Sequence, residues 1–149
     1  MPRKVVVVDI DGTISKVGNR IKYLQQEPKD WDAFYADCFD DEPIHEIIEL
    51  VDCLWKQRYG IVFCTGRRES CRDNTVSWIN KYFSNNMKCK LLMRSNGDHR
   101  HDMDVKPDLL AMHGFHQSHV AFILEDRNSM VKKWRELGFT CLQVAEGDF

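Results

Sequence analysis

Apolar residues fall in short blocks along this chain, and the blocks alternate between two patterns. Val5 to Val8 is an unbroken β-branched run, as expected of a strand buried on both faces. Ile61 to Cys64, Cys89 to Met93, Val120 to Leu124 and Thr140 to Val144 read as further strands. Between the first two, Ile44, Ile47, Ile48, Val51, Leu54 and Trp55 recur at helical spacing, with Pro43 opening the helix and Gly60 ending it. Thr65-Gly66-Arg67 turns the chain into a helix through Trp78, Ile79, Tyr82 and Phe83. Ser95 to Asp104 reads as a polar loop, and Lys106 to His113 as a short helix with Pro107 in its first turn. Asn128 to Leu137 is a helix closed by Gly138. Strands alternating with helices predict an α/β fold, a Rossmann-like doubly wound parallel sheet with helices on both faces.

One stretch breaks the alternation. Ile14 to Asp41 has weak periodicity, yet it holds Tyr23, Trp31, Phe34, Tyr35 and Phe39, which a surface loop does not need. It is expected to be a small cap insertion with short helices, at about residues 14–42, within one domain spanning 1–149. Its aromatics serve as the insertion's own core or, alternatively, stack a base.

Composition narrows the class. The 149 residues are 43% hydrophobic and 30% charged, ordinary for a globular protein, and no apolar run reaches membrane-spanning length. Met1-Pro2-Arg3-Lys4 leads straight into the first strand rather than into a signal sequence, so a cytoplasmic location is expected. The six cysteines show no Cys-x-x-Cys spacing and are expected to be free thiols, with Cys64 buried. A formal charge of −2 does not suggest a general nucleic-acid binder. The charges are segregated, however. Asp30 to Glu49 carries acids and no Lys or Arg, while bases gather at Arg67, Arg68 and Arg72, at Arg94, Arg100 and Lys106, and at Arg127, Lys132 and Lys133. His113, His116 and His119 lack a fourth ligand at a zinc spacing and read as surface residues, and His99 and His101 carry no assigned role.

In open parallel sheets ligands bind beyond the carboxyl ends of the strands. That rule selects Asp9 and Asp11, then Thr65 and Arg67, then Arg94, then Glu125 and Asp126. Carboxylates converging without paired bases invite a hard divalent cation, and oxygen-only ligands favour Mg2+ over zinc. Asp9, Asp11, Glu125 and Asp126 are the candidate ligands. With such an ion Asp9 can attack phosphorus as a covalent nucleophile, and Asp11 can serve as general acid and base. Asp11, two residues on, is expected on the same side of the chain as Asp9. Gly12 permits a tight turn, and Thr13 can orient a neighbouring carboxylate. Thr65 and the Gly66 backbone can donate to phosphoryl oxygens, and Lys106 can neutralise charge. Each element alone has a bland alternative, as a loop start, a turn, a helix cap or a solvated lysine.

Together, Asp9-Ile10-Asp11-Gly12-Thr13, Thr65 of Phe63-Cys64-Thr65-Gly66-Arg67, Lys106 and Glu125-Asp126 resemble the four motifs of the haloacid dehalogenase-type phosphatases. Further stretches resemble the 3′-phosphatase domain of bacteriophage-type polynucleotide kinase-phosphatases. They are Leu92-Met93-Arg94, Asp98 to Lys106, Glu125-Asp126-Arg127 and Cys141 to Phe149. This likeness implies Mg2+-dependent removal of a 3′-phosphate from DNA or RNA in nucleic-acid repair, with opening of a 2′,3′-cyclic phosphate as an extension. It implies substrate contacts from Thr13, Gly66, Arg67, Arg94, Arg100, Asp102 and Arg127. A pair of aspartates is common at the fourth motif; here it is Glu125-Asp126, and Asp126 is the favoured ligand with Glu125 behind it. No Gly-x-x-x-x-Gly-Lys-Ser/Thr loop is present, so 5′-phosphorylation is not expected from this chain. Two alternatives stand beside this reading. One is a phosphatase of mononucleotides or small phosphorylated metabolites, which a cap would suit. The other is a non-catalytic phosphate-binding module.

Overall fold

The aliphatic runs form strands because a parallel sheet lets each be sealed on both faces. In a computed structural model describing residues 3–149, strands β1 (Val5–Val8), β2 (Gly60–Arg68), β3 (Cys89–Arg94), β4 (Val120–Glu125) and β5 (Cys141–Gln143) make one sheet. The Met1-Pro2 start lies outside the described residues. Strand order is β3-β2-β1-β4-β5, and every pairing is parallel. Helices α1 (Lys22–Gln25), α2 (Trp31–Ala36), α3 (His45–Lys56), α4 (Arg72–Tyr82), α5 (Asp102–Met112) and α6 (Asn128–Glu136) connect the strands. None is long and apolar enough to cross a membrane.

Side chains alternate across the sheet, and each face has its own core. Val7, Val62, Cys64, Leu92 and Ile123 pack with Leu109 and Leu110 of α5 and Met130 and Trp134 of α6. Val6, Val8, Ile61, Phe63 and Leu124 pack with Ile48 and Val51 of α3 and Trp78 and Ile79 of α4. The chain winds outward from β1 to β2 and β3, then returns to the other side of β1 for β4 and β5. The switch therefore falls between β1 and β4, where a crevice opens at the carboxyl ends.

Four local expectations are corrected. Pro43 lies before α3 and bridges to Ser15. Arg58, at φ 71°, ends that helical stretch, while Gly60 opens β2, where a Cβ would lie 2.8 Å from Val5 Cγ1. Thr65-Gly66-Arg67 stays extended as the end of β2, with its register against β3 slipping between Thr65 and Arg68. Finally, α5 begins at Asp102, so Pro107 sits inside the helix and the loop is shorter than its polarity suggests. Asp102 and Asp104 occupy the first turn, where acids suit the helix dipole, and His101 Nδ1 accepts from the Met103 N–H at 3.1 Å.

The insertion forms a small cap. A 3₁₀ turn (Gly18–Ile21) runs into α1, and α2 follows. Leu24, Phe34 and Tyr35 make its core, with Trp31, Cys71 and Phe149 packed against them.

Candidate active site

Asp9 stands one residue past β1 at the switch point and is buried. Its Oδ1 accepts from Lys106 Nζ at 2.7 Å and its Oδ2 from Thr13 Oγ1 at 2.9 Å. Lys106 comes from the second turn of α5 and also donates to Glu125 Oε2 at 2.9 Å. Thr13 reaches Asp126 Oδ1 at 3.4 Å. Gly12 makes the geometry possible. Its φ is 85°, and a Cβ there would lie 2.0 Å from Asp126 Oδ2.

Asp9, Glu125 and Asp126 each bring a ligand atom to within 4.8 Å of the others. Burial would discharge Lys106, but the Asp9 and Glu125 carboxylates override it and raise the ammonium well above its usual range. The acids have the opposite problem. Burial first, then the charge of Asp9, pushes Glu125 up to about 8 and Asp126 up to about 10. One ammonium does not balance three crowded carboxyls, so the group must take up protons or a cation. An all-oxygen donor set of this kind fits a hard divalent ion.

Asp11 is not part of that group, contrary to its expected place among the ligands, although it lines the same cavity as Asp9. The strand ends at Val8, so the period-2 rule no longer holds at position 11. Arg67 Nε and Nη2 donate to Asp11 at 3.1 and 2.7 Å, and Arg20 Nη2 donates at 2.6 Å. Burial opposes ionisation of Asp11, but the charges of Arg67 and Arg20 outweigh it and hold the carboxyl well below the usual range. Asp41 completes the network, accepting from Arg20 at 2.9 and 2.6 Å, from Arg67 at 3.2 Å and from Ser15 at 2.6 Å. Arg20 and Asp41 are absent from the sequence-based set. The one signal for them is an acid run with no base of its own, whose buried member must find a cation elsewhere.

A second acid organises the rim. Asp102 takes Arg94 on Oδ1 and Arg127 Nη1 on Oδ2, the latter at 3.0 Å. Arg94 Nε donates to the Gly66 carbonyl at 2.9 Å. At Gly66 a Cβ would meet Asp102 Oδ1 at 2.4 Å, so β2 and α5 approach each other only through glycine. Arg127 Nε donates to the Phe149 carbonyl at 2.6 Å. Arg100, by contrast, is exposed and spends its guanidinium on Asp98 and Asp108, at 2.7 to 3.1 Å.

Asp9, Asp11, Thr65, Gly66, Lys106 and Asp126, with Trp31, Phe34, Tyr35 and Phe149, line a small cavity of about 20 Å3 that opens to the surface. His113, His116 and His119 are exposed on the opposite side of α5's end and take no part.

The buried carboxylate at the switch point, the Lys106 bridge and the acid triad fit a haloacid dehalogenase-type phosphatase. A haloacid dehalogenase-like hydrolase from Streptococcus pneumoniae shares the fold, with a TM-score of 0.65, 17% identity, and coverage of 95% of this chain and 84% of that one. More specifically, residues 3–149 match the polynucleotide kinase PNKP phosphatase domain, and the chain belongs to that family of phosphomonoester hydrolases. A structure of the Pnkp1/Rnl/Hen1 complex aligns over 100% of this chain and 48% of its own, with 29% identity and a TM-score of 0.81. A second, of the Pnkp1/Rnl/Hen1 RNA repair complex, gives 30% identity and a TM-score of 0.82 over 99% and 44%. The chain thus spans about half the length of those proteins.

Proposed function

We infer that this domain removes the 3′-phosphate from the end of a DNA or RNA strand, with Asp9 as nucleophile. The observation that carries the reading is the Asp9 carboxylate, buried at the switch point with each oxygen held by a different donor. It faces a small cavity that Lys106, Thr65 and the aromatic residues Trp31, Phe34 and Tyr35 also line. Membership of the PNKP phosphatase domains supports a nucleic-acid end as the bearer of the phosphate, and the RNA repair complex supports RNA among its substrates.

Asp9 attacks phosphorus, the bond to the ribose 3′-oxygen breaks, and an aspartyl-phosphate results, which water then hydrolyses. Asp9, Asp126 and Glu125 would hold Mg2+, which supplies charge neutralisation on the phosphoryl oxygens when bound. Glu125 gives Oε2 to Lys106, and its Oε1 faces the Asp126 and Arg127 amides at 3.3 and 3.4 Å, which favours Asp126 as the direct ligand. Lys106 holds and aims the Asp9 carboxylate through its contact with Oδ1. Thr65 Oγ1 accepts from the Arg67 N–H at 3.1 Å, leaving its own proton for a phosphoryl oxygen. Arg94 and Arg127, set by Asp102, meet the remaining phosphate charge at the rim.

Asp11 protonates the leaving 3′-oxygen and later accepts a proton from water. Its two arginines keep it ionised in this arrangement. A phosphate dianion beside Asp9 repels that charge, which raises Asp11's affinity for a proton.

The test is a matched panel: a 3′-phosphorylated oligonucleotide, the same strand phosphorylated at its 5′ end, a 3′-mononucleotide and a sugar phosphate. The 3′-phosphorylated nucleic acids should be hydrolysed fastest, and EDTA or Asp9→Asn should abolish turnover without loss of fold. Equal rates on all four substrates, or activity surviving in Asp9→Asn, would overturn the reading.

A further inference from the structure

His101 is one of two histidines flanking Arg100, and nothing in that spacing assigns it a task. In the fold its two ring nitrogens have different neighbours. Nδ1 accepts from the Met103 N–H at 3.1 Å and so caps α5. Nε2 faces Arg127 Nη2 at 3.2 Å. Burial and the positive charge of Arg127 hold the ring below the usual histidine range, so it is neutral at pH 7.

Both neighbours are donors, and a neutral imidazole has one lone pair. The Met103 amide lies in the first turn of α5, where no helical carbonyl is within its reach, so it takes the lone pair on Nδ1. The ring proton then sits on Nε2, pointed at another N–H group. Arg127 cannot turn away. Its Nη1 donates to Asp102 Oδ2 at 3.0 Å and its Nε to the Phe149 carbonyl at 2.6 Å. The guanidinium also lies against the rings of Trp31 and Phe149, 5.8 and 5.3 Å from their centroids. Arg127 is buried, yet its Nη2 has no acceptor among the described residues. Two donors 3.2 Å apart with nothing to accept from them are unfavourable alone, and both are satisfied by one anionic oxygen. Arg127 lines the cavity at Asp9, and with His101 it lines the adjoining space of about 340 Å3.

We propose that His101 is a further substrate contact, its Nε2–H sharing with Arg127 Nη2 one oxygen of the phosphate under attack. The inference rests on the place given to Arg127 in the 3′-phosphatase reading and deepens it. A neutral histidine suits this position. One nitrogen binds the anion while the other holds the first turn of the helix that carries Asp102 and Lys106.

The test separates the two nitrogens, because an asparagine amide reaches the place of Nδ1 and a glutamine amide that of Nε2. His101→Asn keeps the cap and removes the outer donor. KM for a 3′-phosphorylated oligonucleotide and Ki for inorganic phosphate should both rise about tenfold, with the melting temperature unchanged. His101→Gln keeps the outer donor and loses the cap. Phosphate affinity should hold within about threefold while the melting temperature falls by about 3 °C. In an Arg127→Gln background, His101→Asn should cost less than about threefold, since the shared oxygen is already released. Unchanged KM and Ki in His101→Asn, or an equal loss of affinity in the two variants, overturns the shared contact. The asparagine variant decides alone if the glutamine variant does not fold. Should the wild type hydrolyse no 3′-phosphorylated nucleic acid, the 3′-phosphatase reading falls, and calorimetry with inorganic phosphate on the same variants still decides His101.

Discussion

Gly12 and Asp126 show how one missing methyl group shapes the chemistry. The chain turns back at Gly12 with φ 85°, and the Asp126 carboxylate occupies the space a Cβ would need. Gly12→Ala therefore carries two penalties: backbone strain, and displacement of an acid from the triad. The strain alone is expected to lower stability by about 1–3 kcal/mol. The displacement is expected to weaken the response to Mg2+ beyond that. Thermal unfolding with and without Mg2+ separates the two effects, since a purely backbone defect would lower both melting temperatures equally. Asp9, Lys106 and Asp126 were legible as residues because strand ends and motif spacing point to them. Arg20 was not, because a single arginine in a polar insertion looks the same in sequence whether it is solvated or, as here, buried on two carboxylates.

At the level of elements, the 3₁₀ turn of the cap, the loop after β1 and the end of β2 are joined by the Arg20, Asp11, Arg67 and Asp41 network. Removing Arg20 from it leaves two buried carboxylates to share the one cation of Arg67, and Arg20→Ala is expected to cost about 3–5 kcal/mol. The pH dependence has a definite sign. Asp11 is depressed in the folded protein, so its contribution is present above the ordinary carboxylate range and lost as pH falls through its lowered value. Arg20→Ala lessens the depression, and acid-induced unfolding, followed by tryptophan fluorescence, should move to higher pH. Element type was readable throughout the sheet from short apolar runs, β-branched in β1 and mixed in the other strands. Boundaries failed where polar residues serve a helix: Asp102 and Asp104 look like loop, yet they stabilise the first turn of α5 through its dipole. Thr65-Gly66-Arg67 looked like a turn because glycine usually marks one. Here Gly66 stays in the strand and lets Asp102 approach instead.

For the whole molecule, the acid triad links stability to metal and pH. Glu125 and Asp126 are raised to about 8 and about 10, above their ordinary values, so the folded metal-free protein binds more protons than the unfolded chain. Stability of the chelated protein should therefore fall as pH climbs from the ordinary carboxylate range through 8. On the proposed function Mg2+ would take the place of those protons, so the rise in melting temperature it produces should be larger at pH 8 than at pH 6. Calorimetry at both pH values, with EDTA and with Mg2+, checks this; an equal rise at both would exclude proton competition at the triad. The doubly wound architecture followed from alternating patterns alone. The closeness of the cap did not, because the contacts that seat it are charged and lie far apart in sequence.

The network at Asp11 has one more consequence. Asp41 closes the insertion, its carboxylate binds Arg20 and Arg67, and its carbonyl accepts from Trp78 Nε1 at 2.8 Å in the main core. The cap is thus riveted to the sheet rather than hung on it. Transplanting this insertion onto a related scaffold would need both rivet plates to travel together, and it would not behave as an interchangeable lid.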